Sequence, residues 1–277
     1  MLLEQFAEIQ KNEPSALRGS VDGLHDVRVA FRRMRSLTAT FGQLAPKYLS
    51  RLDRLASKVC DRMGDARDID VWIALFMDLD RAGGAQGLSV AEKRKVLAEL
   101  RAARTRLAAS ALGCSAYAKT KEMLRGLARK KAFRGGEGGP EVETLVARRI
   151  LVVREMVEQR YRQVGSFSSE AAHRLRRSGR RLRYLSEFFA EMLGAESVRA
   201  GRWITKAQAS LGKMHDVDSA LELSKELPSG KARMEVRRNL KRRRKAHLEQ
   251  FKAAWRHYED PVLQSKWCKR LEELSRG

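Results

Sequence analysis

The segment HDVRVAFRRMR, residues 25–35, combines one histidine and four arginines with apolar residues at interleaved positions. Guanidinium groups bind phosphate and carboxylate oxygens through paired hydrogen bonds, and a neutral imidazole adds one further N–H donor. The segment therefore carries the side chains of an anion-binding site. The alternative is an ordinary helix face, on which arginine stems cover apolar surface while the charged ends stay in water.

The same pattern occurs a second time in the chain. His25 corresponds to His173, and 173 − 25 = 148. This offset also relates further basic and acidic residues to one another: Arg28 to Arg176, Arg32 to Arg180, Arg33 to Arg181, Arg35 to Arg183, Lys58 to Lys206, Asp68 to Asp216, and Asp70 to Asp218. A constant offset over so long a stretch predicts an internal repeat.

On a helix, the histidine and three of the arginines fall on one stripe about 80° wide, beside the apolar face. The first stripe consists of His25, Arg28, Arg32 and Arg35, and the second of His173, Arg176, Arg180 and Arg183. Cations three and four residues apart on a helix repel one another. No acidic residue is expected on either stripe to relieve this repulsion, so we expect both stripes to bind an anion.

Four aspartates follow the stripes and are candidate metal ligands: Asp68, Asp70, Asp216 and Asp218. With so many cations nearby, we expect them instead to cap a helix start and to pair with Arg54, Arg67 or Arg202. The sequence contains no phosphate-binding glycine loop, zinc-protease motif or hydrolase serine motif. We therefore predict no catalytic residue, no metal site and no cofactor.

The elements that position these residues are predicted to be helices throughout. The chain is rich in Ala, Leu, Arg, Glu and Lys and has only five prolines, which favours an all-α fold. Each half contains about four amphipathic segments, and short connections favour a four-helix bundle. We predict two such bundles, related by a pseudo-twofold axis, in a single domain over 1–277. Repeat 1 (1–131) and repeat 2 (141–277) would be joined by a glycine-rich linker, 132–140.

The overall charge limits the class of partner. The 57 Lys and Arg against 34 Asp and Glu give a net charge of +23, which attracts polyanions. Nucleic acid, an anionic membrane surface and a phosphate-rich polymer are the partners that fit. The three cysteines are far apart and odd in number, which favours a reducing compartment. No apolar run approaches the roughly 18 residues of a membrane span, so we expect a soluble cytoplasmic protein without a membrane partner.

Four segments together resemble the CHAD family, the conserved histidine α-helical domain: HDVRVAFRRMR, HRLRRSGRRLRYLSEFF, GDARDIDVWIAL and GKMHDVDSALEL. The resemblance covers nearly the whole chain. It implies two four-helix bundles around a basic central groove or pore lined by the two His/Arg helices, and binding of inorganic polyphosphate without established catalysis. The residues that it assigns to polyphosphate are the two stripes, with Lys58, Arg94, Arg101, Lys206, Arg242 and Lys245 as additional ligands. Association with polyphosphate granules in the cytoplasm is expected on the same basis.

Two other functions stay open at this point. One is a metal-dependent phosphohydrolase that uses His25 or His215 with the aspartates. The other is nucleic-acid binding, because a basic helical protein adheres to nucleic acid at low salt. Aromatic residues make up only 6% of the chain, which gives few stacking platforms for single strands. The oligomeric state, and whether the histidines contact the anion or pack at the bundle seam, are left undecided by the sequence.

Overall fold

The structure is a computed structural model that describes residues 1–129, 140–227 and 229–276. Within these ranges the chain forms eleven α-helices, one short 3₁₀ helix and no β-strand. The predicted all-α class is confirmed. The predicted linker lies outside the described residues, except for Pro140, at which a helix begins. No helix in the described ranges is both long and apolar enough to cross a membrane.

The chain forms two compact units. Unit 1 contains residues 1–134 and 226–236, and unit 2 contains residues 135–225 and 237–277. The described helices of unit 1 are α1 (Leu2–Leu17), α2 (Val21–Phe41), α3 (Pro46–Arg81), α4 (Val90–Leu112) and α5 (Ser115–Arg129), with the 3₁₀ helix Gly42–Leu44 after α2. The fourth helical segment predicted from the sequence is thus two helices, because the chain turns at Gly113 and Cys114.

Unit 2 has the same order of long helices. These are α6 (Pro140–Arg162), α7 (Ser169–Phe188), the short α8 (Ala190–Leu193), α9 (Ala195–Leu223), α10 (Lys231–Tyr258) and α11 (Pro261–Arg276). The first residues of α10, up to Val236, belong to unit 1. The segment predicted to begin near Arg233 is again two helices, α10 and α11. The pseudo-twofold axis and the internal repeat stay predictions.

The helices that carry the two stripes begin in the same way. Ser20 caps α2 by accepting a hydrogen bond from the Gly23 amide at 3.1 Å, and Ser168 caps α7 by accepting one from Ala171 at 3.3 Å. A serine cap of this kind stabilises a helix start by about 1 kcal/mol. Gly23 also allows α1 to approach closely, because a Cβ there would lie 2.8 Å from the Ala16 backbone nitrogen. The start of each stripe is therefore fixed by local hydrogen bonds.

The apolar face predicted beside the first stripe lies in the core of unit 1. Val27, Phe31 and Met34 are fully buried and pack with residues of α1, α3, α4 and α5. In unit 2 the corresponding face of α7 is buried as well, through Leu175, Leu182 and Leu185. Burying a side chain of this size contributes about 1.5–3 kcal/mol. The core thus fixes the rotation of both helices, and with it the side on which the arginines lie.

Candidate anion-binding site

The first stripe lies along α2 at the edge of the core of unit 1. His25 is exposed, whereas Arg28, Arg32 and Arg35 are half-buried. Burial, together with the neighbouring positive charges of Arg32 and Arg67, lowers the pKa of Arg28 to about 10. A guanidinium loses its proton more easily only where its charge is poorly solvated or repelled. Positive charge is therefore concentrated around Arg28, and Asp68 offsets it only in part.

His25 belongs to the same cluster of charged side chains. Burial is the largest cause that lowers the pKa of His25, followed by Arg32, while Asp26 opposes the shift. Arg67 and Arg28 lower this pKa further. The imidazole is therefore neutral near pH 7 and has an N–H to donate.

One donor group of the stripe is left without an acceptor inside the unit. The Arg32 Nε is buried, and no described residue accepts a hydrogen bond from it. Below the stripe, burial raises the pKa of the Cys60 thiol, although Arg35, Arg32 and Arg28 act in the opposite direction. Buried polar groups normally have partners. An unsatisfied N–H in a cationic cluster is consistent with a site that is completed by an anion.

An acid pairs with the last arginine of each stripe. The expectation that no acidic residue lies on a stripe is wrong for unit 2, where the acid belongs to the same helix, whereas in unit 1 it belongs to another helix. Arg35 donates from Nε to the Asp53 carboxylate of α3 at 3.2 Å. Arg183 pairs with Glu187, one turn further along α7, at 3.3 Å. Both acids lie where the stripe ends, so the repulsion is relieved at Arg35 and Arg183. In unit 1 it persists around Arg28.

The second stripe shows a related arrangement in unit 2. Its three arginines and His173 are all half-buried. Burial lowers the pKa of His173, and so do the charges of Arg176, Arg177 and Arg180. The ring centroid of His173 lies 4.9 Å from that of His215 on α9. No described residue forms a hydrogen bond with the buried His173 Nδ1, so this nitrogen can form a hydrogen bond with a ligand.

Two of the four aspartates hold the site helices in place. Asp70 accepts a hydrogen bond at 2.8 Å from Arg104 of α4, and the same guanidinium donates at 2.8 Å to the Gly19 carbonyl just before α2. In unit 2, Arg244 of α10 donates to Asp218 at 2.6 Å and to the Phe167 carbonyl before α7 at 2.7 Å. Each arginine therefore ties the start of a site helix to two other helices.

These contacts correct two predictions about the aspartates. Asp70 and Asp218 lie within α3 and α9 rather than at a helix start, so they do not act as N-caps. Their partners are Arg104 and Arg244 instead of Arg54, Arg67 or Arg202. Within the described ranges, no group of three or more His, Cys, Asp or Glu side chains is arranged to hold a metal ion.

The additional ligands implied by the resemblance are all exposed: Lys58, Arg94, Arg101, Lys206, Arg242 and Lys245. Two of them have described side-chain contacts. The Lys206 ammonium lies 4.3 Å from the centre of the Trp203 ring, and Arg242 donates to Asn239 at 2.8 Å. The contacts described for the six do not include a stripe arginine. Their part in anion binding stays a prediction.

Sequence reasoning did not assign Arg67 and His215 to the anion-binding site, although both lie beside the histidine of their stripe. The repeat offset would have identified them, since 215 − 67 = 148. Arg104 and Arg244 were missed for another reason. They differ by 244 − 104 = 140, so the 148-residue offset does not relate them.

Fold and site together define a basic, all-α protein in which each unit presents half-buried arginines beside a neutral histidine. The chain belongs to the CHAD domain family, because the sequence model of that family matches residues 1–225. The match ends before α10 and α11 begin.

Solved structures support the same fold. The crystal structure of the CHAD domain from the plant Ricinus communis is similar with a TM-score of 0.71 and 22% identity, over 94% of this chain and 89% of that chain. PptA from Streptomyces chartreusis is similar with a TM-score of 0.64 and 15% identity, over 92% of this chain and 96% of that chain. No curated protein sequence matches significantly.

Proposed function

We propose that the two stripes bind inorganic polyphosphate and do not convert it chemically. The observation that carries the proposal is the half-buried row of arginines on each stripe helix, in which the buried Arg32 Nε has no described acceptor. Burial and the charges of Arg32 and Arg67 also lower the pKa of Arg28 to about 10. Cations held so close together destabilise one another in the free protein. A bound polyanion would remove that repulsion and accept hydrogen bonds from the guanidinium groups.

Polyphosphate fits this chemistry better than other polyanions do. It offers closely spaced anionic oxygens along its length and no base edges, so binding depends on repeated charge-assisted hydrogen bonds. The stripe arginines lie three or four residues apart on one helix face, which repeats donors about every 5 Å. Membership of the CHAD family supports the same ligand, through the resemblance described above.

The arrangement of the acids supports binding without catalysis. Asp70 and Asp218, two of the four candidate metal ligands, each accept a hydrogen bond from an arginine. A metal ion would have to compete with a guanidinium for each carboxylate.

The proposal is tested by measuring the affinity for long-chain polyphosphate at near-physiological salt in EDTA, with single-stranded DNA and RNA as competitors. A charge-assisted hydrogen bond contributes about 1.5–3 kcal/mol. The double variant Arg32→Ala with Arg180→Ala should therefore bind at least about tenfold more weakly. The matched control is Arg106→Ala with Arg270→Ala, two exposed arginines of α4 and α11, which should change affinity by less than about twofold.

Three outcomes would contradict the proposal. Unchanged affinity in the stripe variant would show that the arginines face another ligand. Equal affinity for RNA or DNA would remove the preference for polyphosphate. Metal-dependent release of orthophosphate from polyphosphate would show that the protein is an enzyme.

A further inference from the structure

Unit 2 contains an open pocket of about 650 Å³ between the end of α7, α8 and the first half of α9. This volume lies within the range of about 300–1,000 Å³ of small-molecule sites. The pocket adjoins the second stripe, since Glu187 lines it and pairs with Arg183 of that stripe at 3.3 Å.

The lining of the pocket combines cations, a ring and a buried hydroxyl. Arg199, Arg202 and Lys206 supply three positive charges, against the single carboxylate of Glu187. The Ser186 hydroxyl is buried on the pocket wall, and no hydrogen-bond partner for it exists among the described residues. The pocket is therefore electropositive and offers a fixed polar group at its wall.

Trp203 gives the pocket a surface for stacking. Its indole is half-buried, lies 4.2 Å from the His257 ring at an interplanar angle of 15°, and has the Lys206 ammonium 4.3 Å from its centre. The indole therefore already receives both a flat ring and a cation. A ligand ring could take the place of the Lys206 ammonium, which would then be free to move to the phosphates of the ligand.

The corresponding positions of unit 1 show what makes the pocket distinct. Asp53 of unit 1 corresponds to Gly201, since 201 − 53 = 148. In unit 1 the Asp53 carboxylate accepts hydrogen bonds from Arg35 at 3.2 Å and from Thr38 at 3.1 Å. Gly201 has no side chain, so Ser186, at the position of Thr38, has no such acceptor. Unit 2 therefore lacks an anion at the position where the pocket is open.

A second difference concerns the ring. The three cations of the pocket correspond by the same offset to Arg51, Arg54 and Lys58, whereas Trp203 corresponds to Leu55. Unit 2 therefore keeps the positive charges and adds an aromatic side chain. The added ring distinguishes this pocket from a site for phosphate alone.

We propose that this pocket binds a free nucleoside polyphosphate, with its base on Trp203, its phosphates on Arg199, Arg202 and Lys206, and a ligand hydroxyl or phosphate oxygen on Ser186. A nucleoside polyphosphate combines an aromatic ring with several adjoining negative charges, which are the two features that the pocket complements. Base stacking on an aromatic side chain contributes about 1–3 kcal/mol. The inference is independent of whether the stripes bind polyphosphate.

The test is isothermal titration calorimetry of the full chain with ATP, inorganic triphosphate and adenosine, in EDTA. ATP should bind at least about tenfold more tightly than triphosphate, because only ATP has a base to stack. Trp203→Ala should remove that difference, and Trp203→Phe should keep most of it. The affinity of Trp203→Ala for long-chain polyphosphate should stay within about twofold, which separates this proposal from the polyphosphate site.

Gly201→Asp tests the comparison of the two units directly. It introduces a carboxylate at the position of Asp53, and we expect it to weaken ATP binding by about tenfold through charge repulsion and through pairing with Arg183 or Ser186. Gly201→Ala is the matched control, because a Cβ there would lie 3.4 Å from the Ser186 Cβ, an ordinary contact distance. It should change ATP affinity by less than about twofold.

Equal binding of ATP and triphosphate would overturn the proposal, and so would an unchanged ATP affinity in Gly201→Asp. If ATP binds as expected while polyphosphate does not bind, only the function proposed for the stripes fails. Thermal unfolding of each variant, followed by circular dichroism, checks that it is folded. Trp203→Phe and Gly201→Asp provide the test even if Trp203→Ala does not fold.

Discussion

In unit 1 the histidine of the stripe neighbours a permanent cation, Arg67, whereas in unit 2 the corresponding histidine lies 4.9 Å from a second imidazole, His215. The last arginine also differs in its partner. Arg35 pairs with Asp53 on another helix, and Arg183 pairs with Glu187 on its own helix. Two helices with the same cations at the same spacing thus have different electrostatic surroundings. The stripe arginines are shared, while their neighbours determine how each unit responds to pH and to other ligands.

The largest effect is expected on stability, when Arg104 or Arg244, which hold the site helices in place, is replaced. Arg244→Ala would leave Asp218, with a side chain only 11% exposed, without its ion pair, whereas Arg104→Ala would leave the 31% exposed Asp70. An unpaired carboxylate costs more the less water reaches it. We expect the free energy of unfolding, measured in urea, to fall by about 2–3 kcal/mol in Arg244→Ala and by about 1–2 kcal/mol in Arg104→Ala.

The controls for these two variants are exposed arginines on the same helices, Arg106→Ala on α4 and Arg238→Ala on α10. Each should change stability by less than about 0.5 kcal/mol. Equal losses for Arg104→Ala and Arg244→Ala would show that the burial of the partner carboxylate does not decide the effect.

The next largest effect is expected from single changes in the two stripes. Arg32→Ala and Arg180→Ala should each weaken polyphosphate binding by about tenfold, because each removes guanidinium donors of its stripe. If the two effects multiply in the double variant, the stripes contribute independently. The measurement is a polyphosphate titration of the three variants at one salt concentration. An effect confined to one of the single variants would restrict the anion site to that unit.

A smaller change in polyphosphate affinity is expected when the pH is changed. In the free protein burial and neighbouring arginines lower the pKa of both His25 and His173, so both are neutral near pH 7. A bound anion favours the imidazolium and raises these pKa values, so binding takes up protons and affinity increases as pH falls below about 6.5. We expect about a threefold gain in polyphosphate affinity between pH 7.5 and 5.5.

The two units should contribute unequally to this pH dependence. Unit 2 has two imidazole rings at its stripe, since the His173 and His215 centroids lie 4.9 Å apart, whereas the neighbour of His25 in unit 1 is a guanidinium, Arg67. His173→Gln should therefore reduce the pH dependence more than His25→Gln, and His247→Gln, distant in sequence from both stripes, should leave it unchanged. A pH profile that is the same in all three variants would contradict this assignment.

The smallest effects are expected at the exposed additional residues. Changing Arg94, Arg101, Arg242 or Lys245 to Gln should weaken polyphosphate binding by less than about twofold each at physiological salt, because exposed charges are well screened. The slope of log affinity against log salt should fall by about one for each charge that contacts the anion. A loss comparable to that of Arg32→Ala would place the residue among the main ligands.

The sequence was sufficient to predict the all-α class and the buried face beside each stripe, but it did not predict that the fourth segment of each half is two helices. Helix composition and apolar spacing are local properties, so the buried face formed by Val27, Phe31 and Met34 followed directly. The partners of the aspartates could not be predicted, because Arg104 is 34 residues away from Asp70 and the pairing depends on how α4 packs on α3. The pocket at Trp203 was missed for a similar reason. The pocket depends on the absence of a side chain at Gly201, and a single glycine within a helix is not a recognisable sequence motif.

The guanidinium of Arg104 reaches a carboxylate on one helix and a backbone carbonyl before another, and Arg244 does the same in unit 2. A lysine ammonium is a single point charge without the planar fork needed to reach both acceptors in fixed directions. An arginine-to-lysine exchange in a natural variant therefore has different effects on stability at different positions of this chain. It is a neutral change at exposed residues such as Arg94 or Arg242, and a disruptive one at Arg104 and Arg244, where substitution tables would class it as conservative.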